Sequence, residues 1–256
     1  MKKYLFFCIT KYDINAILFQ NGRIKVNKYL HLNLVKTMKC KNDSLFMFTK
    51  NLKCLKYMHK CLKIPVCNQT LCSSARSGLL ECLKYAHKIG ASDNGKTLSF
   101  AAASGSFECL IYAYQYFYHD YTCESSYFEI QDEYNMFEEN EYNCIHGLSF
   151  AAASGSLKCL KFAHEVIGLR DIDNQTLTQA AKSKSIQCVI YAYEKIHCKP
   201  NKYTLTRAAE GGSIECLKFI HKITNMETCE IEFIMNDAKR SRSTECLLYC
   251  KNHFQK

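Results

Sequence analysis

The chain repeats itself with a period near 28 residues, and that fact limits its fold more than any other. Nine residues, LSFAAASGS, stand at Leu98 to Ser106 and again at Leu148 to Ser156. Cysteine followed by Leu or Val recurs at Cys54, Cys82, Cys109, Cys159, Cys188, Cys216 and Cys246, in steps of 28, 27, 50, 29, 28 and 30. Five of the six steps therefore keep one period, and the single long step carries about 22 extra residues. A unit this short cannot bury an apolar face alone, so neighbouring copies must cover one another.

Each unit reads as two helices. Thr70, Thr97, Thr176 and Thr204 precede the first apolar run and are candidate N-caps. Leu and paired alanines follow, at Ala101-Ala102, Ala151-Ala152, Ala180-Ala181 and Ala208-Ala209, which favour helix and let a neighbouring backbone approach. Gly78, Gly105, Gly155 and Gly212 then suit a left-handed exit from the helix, with Lys184 and Arg242 in that place in two copies. The second helix opens at Ser106, Ser156, Ser185, Ser213 or Ser243 and runs C-L-K-Y-A-H or a near variant. The third residue after Cys is always aromatic, from Tyr57 to Tyr249. The fold class expected is all-α.

The run Gly95-Lys96-Thr97-Leu98-Ser99-Phe100-Ala101-Ala102-Ala103-Ser104-Gly105-Ser106-Phe107-Glu108-Cys109-Leu110 resembles the ankyrin repeat signature G-x-T-P-L-H-x-A-A-x-x-G-x-x-x-V-V, without its proline and histidine. Lys88 to Asp93 is similar to the end of that family's second helix. The resemblance covers roughly residues 51 to 256. It looks closest to the short, cysteine-rich ankyrin-type repeats abundant in large DNA viruses of amoebae. It implies an α-solenoid of about six or seven stacked helix-turn-helix repeats, preceded by a degenerate N-terminal capping region over residues 1 to 50, and a non-catalytic scaffold or adaptor for an unidentified protein partner.

Charge divides the chain unevenly. The net charge is +10, but residues 1 to 50 carry +8 and residues 116 to 147 carry −8. The second of these is the insertion, and it interleaves acids with aromatics that include Tyr121, Tyr127, Phe128 and Tyr134. A disordered linker is usually poorer in aromatics, so these four are candidate partner anchors. The basic first 50 residues make nucleic-acid binding the second functional reading, one that salt would weaken. The opening MKKYLFFCITKYD has too short an apolar run and no cleavage pattern for a signal peptide, and no later run is long enough to span a bilayer. A cytoplasmic location is expected, in the host cytoplasm if the chain is viral, with no membrane partner. Seven of the 17 cysteines share one helical position, where the thiol acts as a small buried hydrophobe and not as part of a disulfide framework.

Several sharper motifs yield to plainer readings. Gly90 to Thr97 satisfies G-x-x-x-x-G-K-T, yet it follows the helical run Glu81 to His87 where a phosphate loop needs a strand. It reads as a connection between repeats. Cys246, Cys250 and His253 share a helix face at metal-ligand spacing, which is also the spacing of a buried stripe. Lys56, Lys84, Lys161 and Lys218 form an interrupted stripe of the kind a solvated face shows. No nucleophile-and-base pattern is present, so no catalysis, metal, cofactor or small-molecule substrate is expected.

The positions that change while their neighbours stay constant mark a second candidate surface. Six and nine residues before the repeat cysteine stand Arg76 and Ser73, Ala103 and Phe100, Ala153 and Phe150, Lys182 and Gln179, and Glu210 and Arg207. Between them stands an alanine pair in four of these copies, and Ser74-Ala75 in the other. Arg76, Gln179, Lys182, Arg207 and Glu210 are therefore the candidate partner-binding residues on the first helices.

Overall fold

A computed structural model describes residues 52–60, 66, 68–93, 95–118, 147–171, 174–224 and 231–254. The candidate cap at 1 to 50, and Tyr121, Tyr127, Phe128 and Tyr134 of the insertion, lie outside the described residues. The protein falls into two compact units, Met1–Asp93 and Asn94–Lys256. Every regular element among the described residues is helical, and no helix there is long and apolar enough to cross a membrane.

Unit 1 contains α1 (Leu52–Lys60), α2 (Asn68–Arg76) and α3 (Leu80–Lys88). Helix α3 packs against both α1 and α2. Leu55, Leu71, Ala75, Cys82 and Leu83 are fully buried there. Each large apolar side chain removed from water contributes about 1.5–3 kcal/mol. Since α3 is a helix, the Gly90 to Thr97 motif lacks the strand that a phosphate loop requires.

Among its described residues, unit 2 holds five helix pairs. The first helices are α4 (Thr97–Ala103), α6 (Gly147–Ala153), α8 (Thr176–Lys182), α10 (Thr204–Gly211) and α12 (Ile231–Arg240). The second helices are α5 (Phe107–Phe117), α7 (Leu157–Lys161), α9 (Ile186–Glu194), α11 (Ile214–Ile223) and α13 (Thr244–Phe254), with α7 continuing into a π-helical turn over Phe162–Val166. Successive first helices pack on one another from α4 to α12, and successive second helices do the same from α5 to α13. Cys109, Cys159, Cys188, Cys216 and Cys246 are all fully buried, as their shared helical position requires.

Two small devices recur at the turns between paired helices of unit 2, the second at every such turn but that of α10 and α11. The Ser at the second helix's N-cap accepts the N–H of the repeat cysteine, at 3.3 to 3.4 Å from Ser106, Ser156, Ser185, Ser213 and Ser243. Two residues earlier, Ser104, Ser154, Ser183 and Ser241 each donate a hydroxyl to the alanine carbonyl three residues back, at 2.7 to 2.8 Å. The same hydroxyls accept the N–H two residues ahead. Lys184 and Arg242 adopt φ of 69° and 59°, so these copies keep the left-handed turn without glycine.

The threonines differ from expectation. Thr97, Thr176 and Thr204 are the first residues of their helices, and Lys96, Gln175 and Tyr203 stand at the N-caps with no side-chain cap. Thr70 lies inside α2. The preceding connection supplies acceptors in two cases: Asp171 Oδ1 takes both the N–H and the hydroxyl of Thr176 at 3.0 and 2.7 Å, and Asn201 takes the N–H of Thr204 through its carbonyl at 3.0 Å and the hydroxyl through Oδ1 at 3.2 Å. The buried Thr hydroxyls serve packing between first helices, as in the 3.0 Å contact of Thr178 with Thr204.

Candidate functional site

The variable positions of the first helices are solvent-accessible, whereas the alanines between them are buried. In α10, Arg207 and Glu210 are half-buried around the fully buried Ala208 and Ala209; in α8, Gln179 and Lys182 flank Ala180 and Ala181 in the same way. Phe100 and Ala103 of α4 and Phe150 and Ala153 of α6 hold the same register. Arg76 is exposed on α2 beside the buried Ala75, within unit 1.

The structure joins three of the candidates. Glu210 accepts from Lys182 Nζ at 2.8 Å through one oxygen and from Arg207 at 2.6 Å through the other, so one carboxylate ties α8 to α10. Burial pushes the Glu210 carboxyl upward, but the hydrogen bonds and charges of Lys182 and Arg207 outweigh it and hold the group below its ordinary value. The subtraction that located these residues also applies to the last unit, where it gives Asp237 and Arg240, which the sequence reading passed over. They pair at 3.2 Å on α12, with side-chain exposures of 14% for the aspartate and 78% for the arginine. Burial, and then the charge of Glu210, raise the Asp237 carboxyl. The row thus runs from Phe–Ala on α4 and α6 through Gln–Lys and Arg–Glu to Asp–Arg on α12.

Partly exposed ion pairs of this kind contribute about 0.2–1 kcal/mol each. Since Phe–Ala occupies the same backbone positions in α4 and α6, the helix packing does not demand charge there.

No family model matches the chain, and a search of curated proteins finds no relative.

On the second helices the C-L-K-Y-A-H run becomes a joint between units. His59 Nδ1 lies 3.0 Å from the Tyr85 hydroxyl, His164 Nδ1 3.0 Å from that of Tyr191, and His221 Nδ1 2.8 Å from that of Tyr249. The rings meet edge to face in each case. Where tyrosine replaces the histidine, the facing aromatic is phenylalanine: Tyr114 meets Phe162 and Tyr193 meets Phe219, with centroids 5.6 and 5.9 Å apart. A hydroxyl is thus present opposite a ring nitrogen and absent opposite a phenol. The pairing rule was visible by comparing the fifth residue after one Cys with the third after the next. Lys56, Lys161 and Lys218 reach over the same tyrosines at 5.6, 5.6 and 5.9 Å, near the outer limit of a cation–π contact, so these lysines of the stripe lie along the joints.

Cys246, Cys250 and His253 do not converge. Both thiols are fully buried, while the exposed His253 lies against the Tyr249 ring at 4.2 Å. Burial, with Cys246 adding to it, pushes the Cys250 thiol up to about 11, which keeps it protonated near neutrality.

Proposed function

We propose that the chain is a non-catalytic protein-recognition scaffold, an α-solenoid of ankyrin-like repeats acting in the cytoplasm, whose partner reads the first-helix row. The observation that carries this reading is the contrast between the buried alanine pairs and their accessible, substituted flanks on α4, α6, α8 and α10. A stack of units offers an extended face whose chemistry is set unit by unit. In unit 2 that face is apolar toward α4 and α6 and charged toward α8, α10 and α12. A fitting partner carries an apolar segment followed by one of mixed charge. Free, buried thiols suit a reducing compartment.

The test compares proteins captured from nuclease-treated lysate by the intact chain, by Lys182→Ala/Arg207→Ala, by Arg240→Glu, by a chain lacking residues 118 to 145, and by Lys222→Ala as a control. Loss of the same protein from the first two variants, with retention by the control, is expected. Identical recovery by all five would remove the case for this face. Loss with the deletion alone would move recognition to the insertion.

A further inference from the structure

Two successive connections of unit 2, those after the π-helical turn and after α9, line a cleft of about 370 Å³ together with His164. Among the described lining residues, two permanent cations outnumber one carboxylate. Arg170 and Asp171 come from the first connection, His197 and Lys199 from the second. Arg170, His197 and Lys199 are exposed and enter no ion pair among the described residues. Asp171, the one acid among the described lining residues, turns its Oδ1 to the N–H and hydroxyl of Thr176. Asn174 and His197 turn the two connections with φ of 53° and 62°, a left-handed conformation in which Asn and His are enriched among non-glycine residues.

His164 contributes a ring whose tautomer is fixed by its neighbours. The Tyr191 hydroxyl donates to Glu165 at 2.6 Å, so its oxygen must accept from His164, whose Nδ1 therefore carries a proton. Nε2 is then the ring's one nitrogen without a partner among the described residues.

We propose that this cleft binds a phosphate monoester, presented as a phosphorylated side chain of a protein partner; the inference rests on the protein-recognition reading above. A phosphoryl group brings close to two negative charges and three strong acceptor oxygens, which matches guanidinium, ammonium and imidazole groups around one volume better than a carboxylate does. A nucleic-acid strand would need cations at successive phosphates. Here the neighbouring Lys161 lies over the Tyr191 ring, and Glu165 flanks it, so the positive charge stays local.

The test follows the ring C–H resonances of His164 and His197 by NMR in the full chain. The probes are phenyl phosphate, inorganic phosphate, a phosphoserine peptide, its unphosphorylated form and a single-stranded oligonucleotide. Saturable shifts with phenyl phosphate and tighter binding of the phosphopeptide are expected, with none for the unphosphorylated peptide. Arg170→Ala/Lys199→Ala removes two exposed side chains and is expected to weaken binding about tenfold or more, while Lys222→Ala leaves it unchanged. Absence of saturation, or equal affinity in the double variant, overturns the proposal. Inorganic phosphate binding as tightly as the phosphopeptide would leave a free-phosphate site only, and tighter oligonucleotide binding would assign the cleft to nucleic acid. If capture depends on Lys182 and Arg207 while phosphate fails to bind, this inference falls and the first-helix reading stands.

Discussion

Placing serine at Gly211 sets the repeat pattern against the packing. Gly211 occupies the place where other units carry Ser77, Ser104, Ser154, Ser183 and Ser241, and in those copies the hydroxyl bridges a carbonyl three residues back and an N–H two ahead. Matching the majority residue would ordinarily be expected to stabilise. The structure predicts the reverse, because a Cβ at this position would lie 2.7 Å from the Lys182 carbonyl oxygen and 3.0 Å from that of Ala181. Ordinary contact begins at 3.4 Å, so α10 would have to retreat from α8 by about 0.7 Å, against backbone that has no rotamer to yield. Overpacking of this kind costs about 1–3 kcal/mol, and the better helix propensity of alanine over glycine returns about 1 kcal/mol at most. Gly211→Ala is thus expected to lose up to about 2 kcal/mol, and Gly211→Ser somewhat more, since serine returns less propensity. Urea unfolding followed by far-UV circular dichroism gives the midpoints. The retreat would also strain the Lys182–Glu210 bridge. A Gly211→Ser protein with an unchanged or higher midpoint would refute the close approach of these helices.

Other outcomes follow from the joints, the charged row and the thiols. Tyr249→Phe should cost about 0.5–1.5 kcal/mol by leaving His221 Nδ1 without its partner; His221→Tyr/Tyr249→Phe recreates the Tyr193–Phe219 type of contact and should recover part of that loss in a double-mutant cycle of denaturation midpoints. Glu210 is held below its usual value, so its stabilisation is present above the unfolded carboxylate pKa of about 4.3 and disappears as pH falls through the lower folded value. Glu210→Gln should lower the melting temperature at pH 7 and have little effect near pH 2. Asp237 is raised, so its ionised form costs stability above the raised folded value, and that penalty is relieved as pH falls from there to the ordinary aspartate value of about 3.9. Asp237→Asn, which keeps an oxygen for Arg240, should be neutral or stabilising at pH 7, and the difference should vanish in acid by the same melting assay. Burial raises the thiols of Cys188 and Cys216, partly opposed by Ser185 and Ser213. Mass-spectrometric labelling at pH 8 should modify these two cysteines only on unfolding, and rapid labelling in native buffer would contradict their burial.

What the sequence made legible follows from how local each constraint is. The serine caps, the left-handed glycines and the buried cysteine ladder are set within a single unit, and seven tandem copies expose each position to comparison. The threonines misled because a hydroxyl at the start of a helix can serve packing as readily as capping, and the deciding acceptor at Asp171 belongs to a separate segment. Lys184 and Arg242 show that a left-handed turn persists when the rest of the copy enforces it. The Glu210 bridge needed three dimensions, since Lys182 meets it only across two packed helices. Phosphate-compatible charge around His164 escaped notice for the same reason: Arg170 and Lys199 lie in different connections.

The joints between second helices also restrict how such a chain can grow or shrink. From Cys159 onward they alternate, His164 with Tyr191, Tyr193 with Phe219, then His221 with Tyr249. Excising the unit of Cys188 would set His164 against Phe219, a ring nitrogen facing no hydroxyl. Excising the units of Cys188 and Cys216 together would set His164 against Tyr249 and restore a fitting seam. Over this stretch, recombination that removes an even number of modules leaves compatible seams, and removal of a single one does not, so parity as well as length constrains the lineage of the array.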